Sequence, residues 1–495
     1  MADSPRHSSS SDEKNSNSQP PSPDTYTADE KHPSSTSFCQ SPSTLAINRL
    51  GRDYVADEHH LENGPSNPTP PQITFPEGGW QAWLTVLGGW MVIFCTAGSM
   101  QSFGVYQNYY TLVSLTDHPP SDISWIGSLQ ACLMFGGGIF SGKMFDLGLF
   151  KHMLAGGSLL FVFSQFMLSL VKPHHFYQNF LAQGVGMGLS MGILFMPTLS
   201  IASHYFKRKR ALAMGIMLSG ALFSSASSYC THGTQSCDGG SLGAAIYPIL
   251  LNPLFNGKVG FAWGVRAAAF LNLGFLIIAN ITMKTRLPPR PSSAPIDMKG
   301  IVTDVPYLIC NAGSFFVFWG LFVPYFYLQL FAAKHGMSEG VVTYGITVLN
   351  IVGIFGRTVP NLFADMWGPF NVIITMAVIT GSVVFALLGA TSGSGLIPFA
   401  VIYGFTSGGF VSVLGPVAAT FARDINEVGT RMGLVTFVFS FAMLTGSPIS
   451  GVLLHPPEYT WYRPVVFSGV TVLSGAALLA VSRSMQAKKK QTWRV

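Results

Sequence analysis

The chain has 495 residues, of which 48% are hydrophobic, 13% aromatic and only 10% charged. Soluble domains carry about 25% charged residues, so this balance, with repeated apolar runs of about 20 residues, excludes a soluble globular domain and implies a polytopic membrane protein. The net charge of +6 is scattered in short basic clusters between apolar spans, which is no nucleic-acid signature, and the six cysteines show neither zinc spacing nor a dense disulfide pattern.

Residues 1–76 come first. A stretch such as "HSSSSDEKNSNSQPPSPD" holds almost nothing to bury, so the entropy of ordering it cannot be offset. A disordered cytoplasmic tail is expected there, and the apolar stretch of a signal peptide is missing.

Twelve membrane spans are predicted next, beginning near Trp83, Ile123, Met153, Phe176, Ala211, Phe261, Val305, Val341, Phe370, Leu396, Gly433 and Tyr462. Trp80 reads as an interfacial anchor ahead of the first. With both tails inside, the inner connections and the C-terminal tail carry eighteen Lys and Arg, Lys207 to Arg210 among them. The outer connections carry four, namely Lys172, Lys258, Lys334 and Arg463. That asymmetry sets the orientation. The expected domains are an N-terminal six-helix bundle over 77–283, a Pro-rich basic linker over 284–303, a C-terminal six-helix bundle over 304–486, and a basic tail over 487–495 that an anionic leaflet attracts.

The two halves repeat one another. "SGKMFDLGLFK" after the second span and "FGRTVPNLFADMWGPFN" after the eighth each place an aspartate and a glycine in a short inner turn beside a basic residue. "RALAMGIML" and "GTRMGLVTF" open the fifth span of each half. A duplicated six-helix unit is the architecture of transporters that rock two bundles about a central site. Asp146, Lys143, Asp365 and Arg431 are the gating candidates: the aspartates are expected to pair with nearby helix ends or basic residues, and pairs that form and break can hold alternate states. Glycine runs such as "QGVGMGLSMG" serve close helix packing; the strand and helix context of a nucleotide site is missing.

Polar groups at bilayer depth are functional candidates by default. These are Gln101, Gln130, Tyr325, Tyr327, Gln329, Asn350 and Arg357. His174 and His175 have no carboxylate or Cys partner at ligand spacing and read as loop residues. Neither catalysis nor a cofactor or metal is expected. The expected partners are a small organic solute and the lipid bilayer, with no nucleic acid, a monomeric transport unit, and the coupling ion open.

Four motifs add a family. "PEGGWQAW", "SDISWIGSLQ", "YFKRKRALAMG" and "GFAWGVRAAAF", each entering a span, resemble the monocarboxylate-transporter family of the major facilitator superfamily. The fungal branch with riboflavin-transporter-like members is nearest, and the likeness runs over about residues 77–486. It implies an all-α membrane protein with twelve transmembrane helices in two pseudo-symmetric six-helix bundles. It also implies rocker-switch transport of a monocarboxylate-like or riboflavin-like solute; the plasma membrane is the expected location, with a vacuolar or other endomembrane as the alternative. A nutrient sensor on the same scaffold is the alternative.

The family has an arginine implicated in anion binding in the eighth span, and Arg357 matches it. The other reading of Arg357 is an inner-turn residue of the repeated gate motif. Family members that carry lactate with protons also place an aspartate one turn earlier and a lysine in the first span. Here Gly353 and approximately Met100 stand at those positions. Lactate–proton symport is therefore not expected, and the remaining aromatics, amides and cation suit a larger, partly aromatic or weakly anionic solute.

One stretch breaks the pattern. "SGALFSSASSYCTHGTQSCDGGSLG" (Ser219 to Gly243) places serines, two cysteines, a histidine and an aspartate inside the fifth span. The interval from Gly215 to Pro248 is 18 residues longer than its counterpart from Gly433 to Pro448. Removing Ala221 to Asp238 restores one apolar span, which points to a retained intron. A natural loop insertion and a Cys/His lid are the alternatives.

Overall fold

A computed structural model describes residues 78–206, 213, 216–217, 240–286, 298–423, 425–455 and 458–493. The N-terminal tail, Lys207 to Arg210, most of the linker, and Ala221 to Asp238 lie outside these described residues, as does the Asp365 side chain.

In chain order the helices are α1 (Trp80–Ser114), α2 (Pro120–Asp146), α3 (Phe150–Leu168), α4 (Phe176–His204), α5 (Gly240–Asn256), α6 (Gly260–Thr282), α7 (Val305–Lys334), α8 (Glu339–Trp367), α9 (Pro369–Gly389), α10 (Gly393–Ala419), α11 (Ile425–Leu453) and α12 (Tyr462–Lys490). Among the described residues ten are long and apolar enough to cross a membrane; α3 falls where the third span is expected, and α5 covers only the end of the fifth, whose expected start near Ala211 lies among residues largely outside the described ones, consistent with twelve. Helix is what these sequences must form in lipid, where every backbone polar group has to be satisfied within its own segment. Proline at the first turn of α2, α7 and α9 loses no bond there, because those N–H groups have no partner within the helix. Large apolar side chains such as Phe163, Phe270, Ile281 and Phe355 stay exposed on the outside, as a lipid-facing surface requires.

The internal repeat is visible in the backbone. The α2–α3 turn has Gly148 at φ +83° and the α8–α9 turn has Gly368 at φ +91°. Both are left-handed conformations that favour glycine, and they occupy equivalent places in the two halves.

The predicted starts at Phe176, Val305 and Tyr462 coincide with observed helix starts. The eleventh differs, beginning at Ile425 rather than Gly433. The reason is a buried ion cluster. Arg431 is 0% exposed; its Nη1 donates to Asp304 Oδ2 at 3.0 Å and its Nε to Glu427 Oε2 at 3.3 Å. The Tyr307 hydroxyl donates to the Arg431 carbonyl at 2.7 Å. Charges that read as loop are paired instead, and the helix continues through them.

The end of the molecule carrying Lys143, Lys151, Arg423 and Lys488 to Lys490 is its basic end. The opposite end is closed by contacts between the halves. Phe103 of α1 packs on Phe326 of α7 with centroids 4.9 Å apart. Gln329 Nε2 donates to Asn252 Oδ1 at 2.7 Å, and Asn252 Nδ2 donates to the Thr343 carbonyl at 3.0 Å. The Tyr327 hydroxyl lies 3.0 Å from the Ser447 carbonyl and 3.4 Å from that of Pro120.

Candidate functional site

Helix α1 is locally widened: Phe94–Gly98 form a π-turn, followed by the short segment Ser99–Gln101. Such insertions re-aim the residues after them and recur at functional sites. Here Ala97, Met100 and Gln101 face a cavity between the halves. Met134 and Phe135 of α2 and Phe195 of α4 complete the N-terminal wall; Leu321, Phe322 and Tyr325 of α7, Arg357 of α8 and Val411 of α10 form the other. The cavity measures ≈ 50 Å³, room for a few waters and too small for an organic solute.

Arg357 is the one fully charged side chain in that lining. Its Nη2 donates to Gln101 Oε1 at 2.6 Å, joining α8 of one half to α1 of the other. Both residues are deeply buried, at 5% and 7% exposure. Close packing positions the arginine: a Cβ at Gly408 of α10 would lie 2.8 Å from the Gly353 carbonyl and 3.3 Å from Arg357 Cγ. Glycine there lets α10 sit against the arginine stem. Asn361 Nδ2 donates to the Arg357 carbonyl at 2.6 Å one turn on. An ionic group at such depth is costly and is held by hydrogen bonds to charge, each contributing about 1.5–3 kcal/mol.

The other sequence candidates separate by place. Tyr325 lines the cavity, with its hydroxyl 3.1 Å from Ser407 Oγ. Tyr327 and Gln329, two and four residues further along α7, belong to the seal at the opposite end. Gln130 is buried within the N-terminal half, donating to Met191 Sδ at 3.5 Å. Asn350 is buried on α8, two turns before Arg357. Lys143 and Asp146 are exposed at the basic end. Arg431 is engaged within its own half by Asp304 and Glu427.

Met100 does line the cavity, and beside it an amide, Gln101, meets the arginine. Sequence reasoning missed Asn252, whose signal was a lone amide inside "YPILLNPLF". It also missed the aromatic wall. Phe318 and Phe439 stack with centroids 3.9 Å apart, and Phe135 reaches Phe439 across the halves at 5.2 Å. His174 lies in a turn, where it meets a carboxylate that its sequence neighbourhood does not show, Asp117 of the α1–α2 connection 57 residues away.

A two-bundle helical fold with an arginine-bearing cavity at the seam restricts the families that fit. The sequence model of the Major Facilitator Superfamily matches residues 87–424. The chain belongs to the Major Facilitator Superfamily. This facilitator is 38% identical over 410 residues to the Aspyridones efflux protein apdF of Emericella nidulans, covering 83% of this chain and 79% of that protein. It is 34% identical over 418 residues to the Fujikurins efflux protein of Gibberella fujikuroi, covering 84% and 85%. A solved peptide transporter, POT in complex with sulfate, shares the fold with a TM-score of 0.63 over 84% of this chain and 97% of that one. At 14% identity that likeness concerns fold alone. The facilitator is thus a multi-pass membrane transporter of the superfamily's type.

Proposed function

We propose that this facilitator exports a mainly aromatic organic solute bearing one acidic group, by rocking its two halves about the Arg357 cavity. The observation that carries the reading is the 2.6 Å bond between Arg357 and Gln101 in a mainly apolar lining that includes Phe135, Phe195, Phe322 and Tyr325. A guanidinium is a rigid planar fork suited to carboxylates, and phenylalanine faces and edges pair with planar rings. The departures at Gly353 and Met100 argue against a lactate-type substrate within the monocarboxylate-like branch. Two relatives named as efflux proteins favour the outward direction.

In this reading the basic end is cytoplasmic, as the Lys and Arg distribution favours, and the membrane is the plasma membrane. The structure then has its outer end sealed by the Asn252, Gln329 and Tyr327 contacts, with the Arg357 cavity small beneath it. Asp146 and Lys143 act at the basic end when it closes, whereas Arg431 staples its own half. The transport unit is the pair of six-helix bundles over 77–283 and 304–486, acting as a monomer, and the mature chain lacks about Ala221 to Asp238.

The experiment is export from cells. Cells expressing the chain are preloaded with a panel of radiolabelled aromatic acids, and loss of label is compared with vector controls. Faster release of at least one acid supports the reading. Net accumulation reverses the direction, and binding without flux supports a sensor instead.

A further inference from the structure

Gln101 and Arg357 are the polar pair through which the two halves meet inside the cavity. The bond runs from Arg357 Nη2, the nitrogen shared by both edges of a guanidinium that grip a carboxylate in bidentate fashion, Nε with Nη2 or Nη1 with Nη2. Gln101 therefore sits where an acid docking from the cavity would sit. Its own amide N–H reaches only the Ala97 carbonyl, at a long 3.4 Å, so Arg357 is its closest described polar contact. At ≈ 50 Å³ the cavity has no room for an aromatic acid unless its walls part, and this bond crosses the line of parting.

We propose that Gln101 is a stand-in ligand: its amide oxygen occupies Arg357 while the cavity is empty, and the carboxylate of the solute displaces it. A carboxylate is the stronger acceptor because both members of the new pair are charged. Two consequences follow physically. Loading the cavity breaks a bond between the halves, so the occupied carrier rocks more readily than the empty one. Displacing Gln101 also lowers the apparent affinity, since only the fraction of molecules with Arg357 released is competent to bind. The inference rests on the aromatic-acid reading of the same site.

The test is equilibrium binding of radiolabelled 2-naphthoate to the purified full-length protein and to Gln101→Leu, Gln101→Glu and Arg357→Ala, with folding checked by thermal unfolding. Removing the competitor should tighten binding in Gln101→Leu by about tenfold, the worth of one hydrogen bond to a charged group. Gln101→Glu, which fills the fork with a permanent carboxylate, should bind at least about tenfold more weakly. Arg357→Ala should not bind. Structural damage only weakens binding, so tightening in Gln101→Leu is specific to displacement. Weakened binding in Gln101→Leu would make Gln101 a direct solute contact, and unchanged binding would show that the bond is not displaced; either overturns the inference alone. Binding to neither wild type nor Gln101→Leu would overturn the aromatic-acid reading and the inference with it.

Discussion

Asn252 Oδ1 accepts from Gln329 Nε2 at 2.7 Å, while Asn252 Nδ2 donates to the Thr343 carbonyl at 3.0 Å. One buried amide of the N-terminal half thus uses both its ends to hold α7 and α8 of the other half. No charge is involved, so the clasp can release without proton transfer or counter-ion.

Asn252→Ala removes both bonds, each worth roughly 1 kcal/mol net. The population open at that end should rise by about tenfold or more. Alkylation of a cysteine placed at Thr343, in a background lacking native cysteines, reads the change; unaltered labelling contradicts the role given to the clasp.

Arg431 is predicted to act on stability rather than gating. Replacing it with Met takes the shared cation from the largely buried carboxylates of Asp304 and Glu427, leaving Asp304 only the exposed Lys489 at 3.5 Å, and breaking a buried ion pair destabilises by about 3–5 kcal/mol. Thermal unfolding in detergent should show a large fall in midpoint, while export assayed well below that midpoint stays near the wild-type rate. Intact stability with lost export would return Arg431 to the gate.

These two predictions show what the sequence carries and what it hides. Apolar run length and the placement of Lys and Arg suffice to place the helices, because the bilayer imposes both, and the starts of α4, α7 and α12 were legible to the residue. The start of α11 was not, because the partner that neutralises Arg431 lies 127 positions away at Asp304. Arg357 and Gln101 stood out as lone polar groups in apolar runs. Their pairing did not, nor did the separation of Tyr325 from Gln329, which share a helical face but lie at different depths, one in the cavity and one in the seal. The aromatic wall was illegible for a different reason: 38 phenylalanines are spread along the chain, and only folding selects the few that meet.

Transport should depend weakly on an imposed proton gradient. If the monocarboxylate-like resemblance holds, Gly353 and approximately Met100 stand where lactate carriers have a charged pair, and the cavity lining contains no carboxylate or histidine. Flux into vesicles, measured with and without a protonophore at constant external pH, should change by less than about twofold, since no lining acid or imidazole changes charge. Strong acceleration by external acid, abolished by the protonophore, would direct attention to buried His204 or to Asp146.

The central claim is that Arg357 holds the solute, and flux through its variants tests it most directly. Arg357→Ala and Arg357→Lys are reconstituted beside wild type, with insertion confirmed by surface labelling, and release of an exported aromatic acid is followed. Arg357→Ala should lose at least about a hundredfold in rate, the loss of a charge-assisted bidentate contact. Arg357→Lys should keep a small fraction, since it retains the charge and loses the fork. Wild-type flux in Arg357→Ala would contradict the account and leave the arginine as a structural residue at the seam.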